Sequence, residues 1–465
     1  MRRIVFTTLG VLKRSLPRCA VELRPRAFNV LVAVVASVVF TASAEAQQSP
    51  GIAALTRGVV AGDAHAVDNF WSTIARNSSP LLEPIPGDDA HVRATFLWKD
   101  PGDTKVVVVD ARFFGVDPAT EPRNRMQRVP GTSIWYLTVS LPTDAEVMYQ
   151  FWINPPDSGA GAPGRATQSY AIPDPLNAYT YPEKDDPLYD PSQPWRIASV
   201  ARMRGAPENP WLVRNAGVAR GTFTQHSIQS AHLTMANPRN VWVYTTPGAV
   251  PQRPNVLILF DGNTTYQRRI PTVAILDNLF AAHRIGPTVA IFVDNGAQAR
   301  QVDLNFSDPF LSFLTDELLP WAQRQYHFTA TAARTALGGD SLCGLFGAYA
   351  ALRRPDVFGE VLGQSAAFQF NNSHSVVDGQ APEWIVRQFQ QSPKLAVKFY
   401  LEVGLMEDRS SAGSNVTLLS SNRRLRDVLT AKGYAVEYRE VYADHNPVHW
   451  RRTLPDALMQ LLPPA

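Results

Sequence analysis

Hydrophobic and polar positions follow two rhythms along the chain, and the change falls near residue 222. Before it, four segments alternate apolar with polar residues, over 92–98, 105–114, 134–141 and 147–153. A period of two marks a strand with one buried face. Turn residues separate these segments (Asp100-Pro-Gly-Asp103, Pro130-Gly-Thr132), which predicts a small antiparallel sandwich. An amphipathic helix is expected just before it, over about 65–82, with Val67, Phe70, Trp71 and Ile74 on one face. From 155 to about 220, prolines and glycines interrupt any period, as in an extended connection.

Beyond 222, strand patterns (240–245, 255–260, 288–293, 357–364, 398–403, 435–441) alternate with helical ones (about 271–283, 308–326, 416–432, 454–462). The run Asn255-Val-Leu-Ile-Leu-Phe260 is nearly all apolar, as a strand buried on both faces must be. The expected organisation is α/β: an antiparallel β-sandwich over 47–180, a linker over 181–220, and a catalytic domain with a mostly parallel sheet over 221–465.

The first 46 residues stand apart. Basic residues precede the apolar run 27–42, and Ala42-Ser-Ala44 and Ala44-Glu-Ala46 offer small-residue cleavage sites. This predicts an export signal, hence a periplasmic or secreted protein with no stable membrane insertion. Seven of the 44 Lys and Arg and two of the 41 Asp and Glu lie there, so the net charge of +3 belongs to the leader. The remaining chain is slightly acidic, which argues against nucleic acid as a partner. Cys19 also lies in the leader, leaving Cys343 with no internal disulfide partner.

The chemistry gathers at Ala336-Leu-Gly-Gly-Asp-Ser-Leu-Cys-Gly344. An apolar lead-in, small residues around Ser341 and a helical continuation form the strand–sharp turn–helix pattern of a nucleophile elbow. In an α/β-hydrolase the acid and the histidine follow the serine in that order, each after a later strand. Here 398–403 leads into Gly404-Leu-Met-Glu-Asp408, and 435–441 leads into Tyr442-Ala-Asp-His445. Ser341 needs a base, because a free hydroxyl is a weak nucleophile near neutral pH; His445 is the expected base. Its ring needs a carboxylate to fix the tautomer; Glu407 is the first choice, with Asp408 the alternative. His449 competes for the base role but falls at the start of the last helix. His445 and His449 have i, i+4 spacing without a following Glu or a third ligand, so no metal and no cofactor are expected. The oxyanion is expected to meet the Leu342 N–H and a donor from the loop at Gly262 and Asn263.

These residues resemble the enterochelin (enterobactin) esterases, bacterial hydrolases of a siderophore trilactone. The likeness is carried in the first half by Phe96-Leu-Trp-Lys-Asp-Pro101, Met126-Gln-Arg-Val-Pro-Gly-Thr-Ser-Ile-Trp135 and Asp174-Pro-Leu-Asn177. In the second half it is carried by Leu259-Phe-Asp-Gly262, Arg300-Gln-Val-Asp-Leu304, Glu317-Leu-Leu-Pro320, Gly339-Asp-Ser-Leu-Cys-Gly344, Gln364-Ser365 and Asp444-His445 with Trp450-Arg451. The resemblance implies an Ig-like early-set sandwich before an α/β-hydrolase domain. It implies Ser341 as nucleophile, His445 as base, and a small-molecule catecholate siderophore ester, with or without iron, as substrate. Arg300 would then contact the anionic substrate, the alternative being an ion pair with Asp303. Cys343 departs from the pattern where an elbow glycine is usual, and Ala366-Ala-Phe-Gln-Phe370 stands where relatives carry Gly-Ser-Tyr-Trp-Trp. The fold also resembles that of feruloyl and acetyl-xylan esterases, so a carbohydrate ester is a second reading. A non-catalytic siderophore-binding protein is a third.

Overall fold

The computed structural model describes residues 48–464 apart from 78, 114–120, 157–169, 297, 372–380 and 409–414. The expected export signal, residues 1–46, lies outside the described residues. Among the described residues no helix is long and apolar enough to cross a membrane.

The described residues begin with a helical pair, α1 (Pro50–Val60) and α2 (Ala66–Asn77). The first is not anticipated by the apolar pattern. It is started by Ser49, whose hydroxyl accepts the Ile52 N–H, and by Pro50 in the first turn. Both helices pack on the outer face of a sheet formed by β1 (Leu81–Ile85), β2 (Asp88–Lys99), β4 (Gln127–Arg128) and β5 (Ile134–Pro142), in the order β1-β2-β5-β4. The facing sheet holds β3 (Val107–Asp110), β6 (Glu146–Ile153), β8 (Thr180–Tyr181) and β9 (Ala198–Arg202), with β7 (Ala171–Ile172) paired to β6. Alternate residues of β2, β3, β5 and β6, such as Phe96, Val109, Leu141 and Phe151, fill the space between the sheets.

One expectation fails here. The stretch 181–220 is not a plain linker, because β9 pairs antiparallel with β6 over Glu146–Tyr149 and belongs to the sandwich. Buried Asp174 holds the same region, accepting hydrogen bonds from the Ser79 hydroxyl (2.6 Å) and the Tyr149 hydroxyl (2.7 Å). Long-range pairing, invisible to local composition, orders a proline-rich segment.

Among the described residues the second half forms an eight-stranded sheet. In chain order its elements are β10 (Thr222–Ile228), β11 (Arg239–Thr245), β12 (Asn255–Leu259), α3 (Thr272–Ala281), β13 (Thr288–Val293), α4 (Arg300–Asp303), α5 (Asp308–Ser312), α6 (Leu319–Tyr326), β14 (Thr335–Asp340), α7 (Leu342–Arg353), β15 (Glu360–Gln364), α8 (Trp384–Gln391), β16 (Lys398–Gly404), α9 (Leu418–Ala431), β17 (Ala435–Val441) and α10 (Pro447–Leu461). The strand order is β10-β11-β13-β12-β14-β15-β16-β17. All pairings from β13 to β17 are parallel, and β10 and β11 run antiparallel at one edge. β12, β13, β14 and β15 are buried at every position, as the unbroken apolar run over 255–260 requires. α3 and α10 cover one face of the sheet, and α5 to α9 cover the other. The last helix starts at Pro447, earlier than its apolar pattern, because the Asn446 side chain caps it by accepting the His449 N–H (3.1 Å). The mixed α/β class with an antiparallel first part is the one expected.

Candidate active site

The C-terminal ends of β14, β16 and β17 lie along one edge of the parallel sheet, with β15 between β14 and β16, and the loops after them carry Ser341, Glu407 and His445. Ser341 sits between β14 and α7 with φ 55° and ψ −118°, a backbone conformation that L-residues avoid and that a packed turn must enforce. Its N–H donates to the Gln364 carbonyl (2.9 Å), and its own carbonyl accepts the Ala367 N–H (3.0 Å). At Gly344 any Cβ would lie 2.7 Å from Ala366 Cβ and 2.9 Å from the Gly339 carbonyl, so only glycine lets α7 approach the strand this closely.

His445 Nδ1 lies 2.6 Å from Glu407 Oε1, and the other carboxylate oxygen accepts the Gly404 N–H at 2.7 Å. Glu407 is 2% exposed, whereas His445 is 29% exposed. Asp408, the alternative acid, instead accepts the Thr417 hydroxyl at an exposed position, 2.9 Å away. The geometry therefore separates two neighbours that the sequence leaves open. Burial opposes charge on His445, but the hydrogen bond and charge of Glu407, helped by Asp340 and Asp444, outweigh it and raise the imidazole above its ordinary value. The Trp450 ring meets the His445 ring edge-on with centroids 4.9 Å apart. His449 is buried and is lowered to about 3 chiefly by burial; the carboxylate it faces, at 3.4 Å, is Glu402 and not Glu407.

Gln364 links the elbow to the histidine loop. Its backbone holds Ser341, and its side-chain amide donates to Glu402 (2.9 Å), the Thr453 hydroxyl (3.0 Å) and the Trp450 carbonyl (3.0 Å). Tyr266 donates to the Gln364 amide oxygen at 3.1 Å, and Trp450 Nε1 donates to the Ser365 hydroxyl at 3.1 Å. The Gln364-Ser365 pair of the family pattern is thus the hub beneath the site. Burial pushes Glu402 up to about 8, so it holds its proton at neutral pH. Between its unfolded value of 4.5 and about 8 the unfolded chain releases this proton and the folded chain keeps it, so this group's contribution falls as pH rises through that window. Glu402→Gln, which has no proton to lose, is therefore expected to match wild type near about pH 5 and melt a few degrees higher near about pH 8, by thermal unfolding.

Of the two N–H groups expected to meet the oxyanion, one is already engaged. The Leu342 N–H, at the start of α7, has no acceptor among the described residues. Gly262 is a correction: its N–H donates to the Val293 carbonyl at 2.9 Å and is not available. Gly262 is pressed against β13, where a Cβ would lie 2.6 Å from the Phe292 carbonyl carbon. Its glycine serves that contact. The next N–H, of Asn263, has no acceptor among the described residues.

Arg300 does not pair with Asp303, which is held by buried Arg239 at 2.6 Å. Arg300 Nε instead donates to Asp261 Oδ2 at 2.6 Å, with the side chain 27% exposed. Cys343 Sγ donates to the same oxygen at 3.4 Å, and Asp340 lies in the same buried group, its Oδ1 without a partner. Burial and the Asp261 charge push Asp340 up to about 6. Asp261, Asp340 and Cys343 have the spacing of a metal-binding group, but Asp261 already carries the Arg300 and Cys343 contacts. Nothing in the local sequence around Arg300 points to Asp261, 39 residues away.

Comparison with known proteins adds to this geometry. A family described as "Enterochelin esterase, N-terminal" matches residues 93–212, and one described as "Putative esterase" matches residues 233–461. An iron(III) enterobactin esterase of Dickeya dadantii is 28% identical over 452 residues, covering 90% of this chain and 97% of the relative. One of Yersinia enterocolitica is 30% identical over 300 residues, covering 59% of this chain and 81% of the relative. The chain belongs to the enterochelin esterase family. As a member of that family it is a carboxylic ester hydrolase. The crystal structure of the Shigella flexneri enterobactin esterase in the presence of enterobactin superposes with a TM-score of 0.63 at 25% identity, covering 83% of this chain and 96% of that one. The likeness spans the sandwich as well as the hydrolase domain, so this enterochelin esterase fold is a two-part unit.

Proposed function

We propose that this chain is an exported serine esterase that opens the lactone esters of a catecholate siderophore such as enterobactin, free or as its ferric complex. The observation that carries the reading is the Glu407–His445 hydrogen bond beside the strained Ser341 elbow. The Ser341 hydroxyl attacks the ester carbonyl while the free ring nitrogen of His445 takes its proton, and the Glu407 carboxylate stabilises the imidazolium. The tetrahedral oxyanion is met by the N–H groups of Leu342 and Asn263. Collapse expels the alcohol, which receives the proton from His445; water then releases the acid from Ser341 by the same route. The names of the relatives support the substrate class, and the apolar run with its Ala-x-Ala sites supports export.

Arg300 suits catecholate oxygens, since its guanidinium stays charged and presents planar paired donors. A charge-assisted hydrogen bond of about 1.5–3 kcal/mol corresponds to roughly 10–100-fold. Arg300→Ala is expected to lower kcat/KM for a catecholate ester by about that factor, and for a neutral p-nitrophenyl ester much less, in steady-state assays.

The test of the function is incubation of the purified protein with enterobactin and with ferric enterobactin, following the linear and monomeric products by chromatography. No ring opening of either form would overturn the siderophore reading, and turnover of a feruloylated oligosaccharide in its place would make the enzyme a carbohydrate esterase.

A further inference from the structure

The loops that carry the acid and the histidine are held by the sandwich as well as by the sheet they end. Met406, next to Glu407, is buried and belongs to the same hydrophobic cluster as Val107, Val147 and Ala201 of the sandwich, with Tyr442 packed against it. Asp444, next to His445, is paired with Arg112, the second residue after β3, with Nε to Oδ2 at 2.9 Å. Arg112 is launched from a fixed point, because the carbonyl of buried Ala111 accepts the side-chain amide of buried Asn124 at 2.8 Å. The two loops are also joined directly, the Met406 N–H donating to the Ala443 carbonyl at 3.1 Å. Further along, Arg452 of α10 reaches the Asp144 carbonyl (3.3 Å) and Arg451 reaches Glu183 (3.2 Å).

We propose that the N-terminal sandwich is a working part of the catalytic site, in which Arg112, through Asp444, and Met406 are positioning residues that keep the histidine and acid loops in register. The proposal rests on the Ser341–His445–Glu407 reading. Its physical basis is the tolerance of the chemistry. Loops that end strands are the mobile part of a fold, and a shift of about 1 Å in a catalytic group can cost roughly 100-fold in rate. The Arg112–Asp444 pair is poorly built for stability. Arg112 Nη1 and Asp444 Oδ1 are both buried without a hydrogen-bond partner. An incompletely satisfied pair of this kind contributes little to net stability, but its fixed geometry can define register.

The experiment uses the full chain with Arg112→Ala, Arg112→Lys, Asp444→Asn and the Arg112→Ala/Asp444→Asn double variant. Two quantities are read: kcat and KM on a small neutral p-nitrophenyl ester, and the rate at which a fluorophosphonate labels Ser341. Rates are referred to the labelled fraction, so that misfolded protein does not count. Arg112→Ala is expected to lower kcat and the labelling rate together by about tenfold or more with KM nearly unchanged. The double variant should be no worse than the worse single one, and Arg112→Lys should recover part of the loss. Wild-type kcat and labelling rate in Arg112→Ala would overturn the proposal, as would a rise in KM alone, which would make Arg112 a substrate contact. If Ser341 is not labelled in the wild-type chain, the serine reading itself is wrong.

Discussion

Ser341→Ala is expected to lower kcat for ester hydrolysis by roughly 10⁶-fold while leaving substrate binding near its wild-type affinity. The hydroxyl is the part of the proposed machinery that forms a covalent bond to the substrate, so no neighbour can replace it. Alanine keeps the small Cβ that the elbow already accommodates at φ 55°, so the fold is not challenged. What remains is the contribution of binding and of the oxyanion donors. Single-turnover kinetics on enterobactin, with binding measured separately by calorimetry, will read both quantities. Hydrolysis at an undiminished rate would move the nucleophile elsewhere.

Glu407→Gln is the second large effect, about 10⁴-fold in kcat. The amide keeps the shape of a 2% exposed side chain but cannot hold the imidazole in its working tautomer or balance its charge. It also has a signature in pH. His445 must be neutral to take the Ser341 proton, so activity is lost as pH falls through its pKa. That pKa is raised above 6.5 because the Glu407 interactions outweigh burial, so the acid limb of kcat/KM for wild type lies above 6.5. Removing the carboxylate lets burial act with less opposition, and the limb moves to lower pH as the maximum falls. An unmoved limb in the pH–rate profile would show that Glu407 is not the partner that sets the His445 titration.

Much of this site is legible in the sequence because its parts are local. Small residues crowd the elbow, and the strand pattern over 435–441 becomes β17. The order serine, acid, histidine follows from strand order. What local pattern cannot show is which groups are already engaged. The Gly262 N–H was expected to face the oxyanion, but β13 takes it, and this depends on how β12 and β13 lie side by side. Arg300 finds Asp261 instead of Asp303, because α4 faces the loop after β12. β9 is hidden in a proline-rich stretch, since its strand character comes from its pairing with β6. α8 has a short apolar face whose value appears only once Phe389 is set against Phe399 and Tyr434.

Cys343 lies in the first turn of α7, buried, with its thiol donating to Asp261. Burial, with the charges of Asp261 and Asp340 adding to it, pushes the thiol well above its ordinary pKa. Because it is the thiolate that attacks an alkylating reagent, the buried, protonated thiol of the closed state does not react and alkylation must wait for the segment to open. The rate of alkylation at Cys343 is thus a clock for the breathing of the segment that carries the nucleophile, one that a covalent adduct on Ser341 would slow.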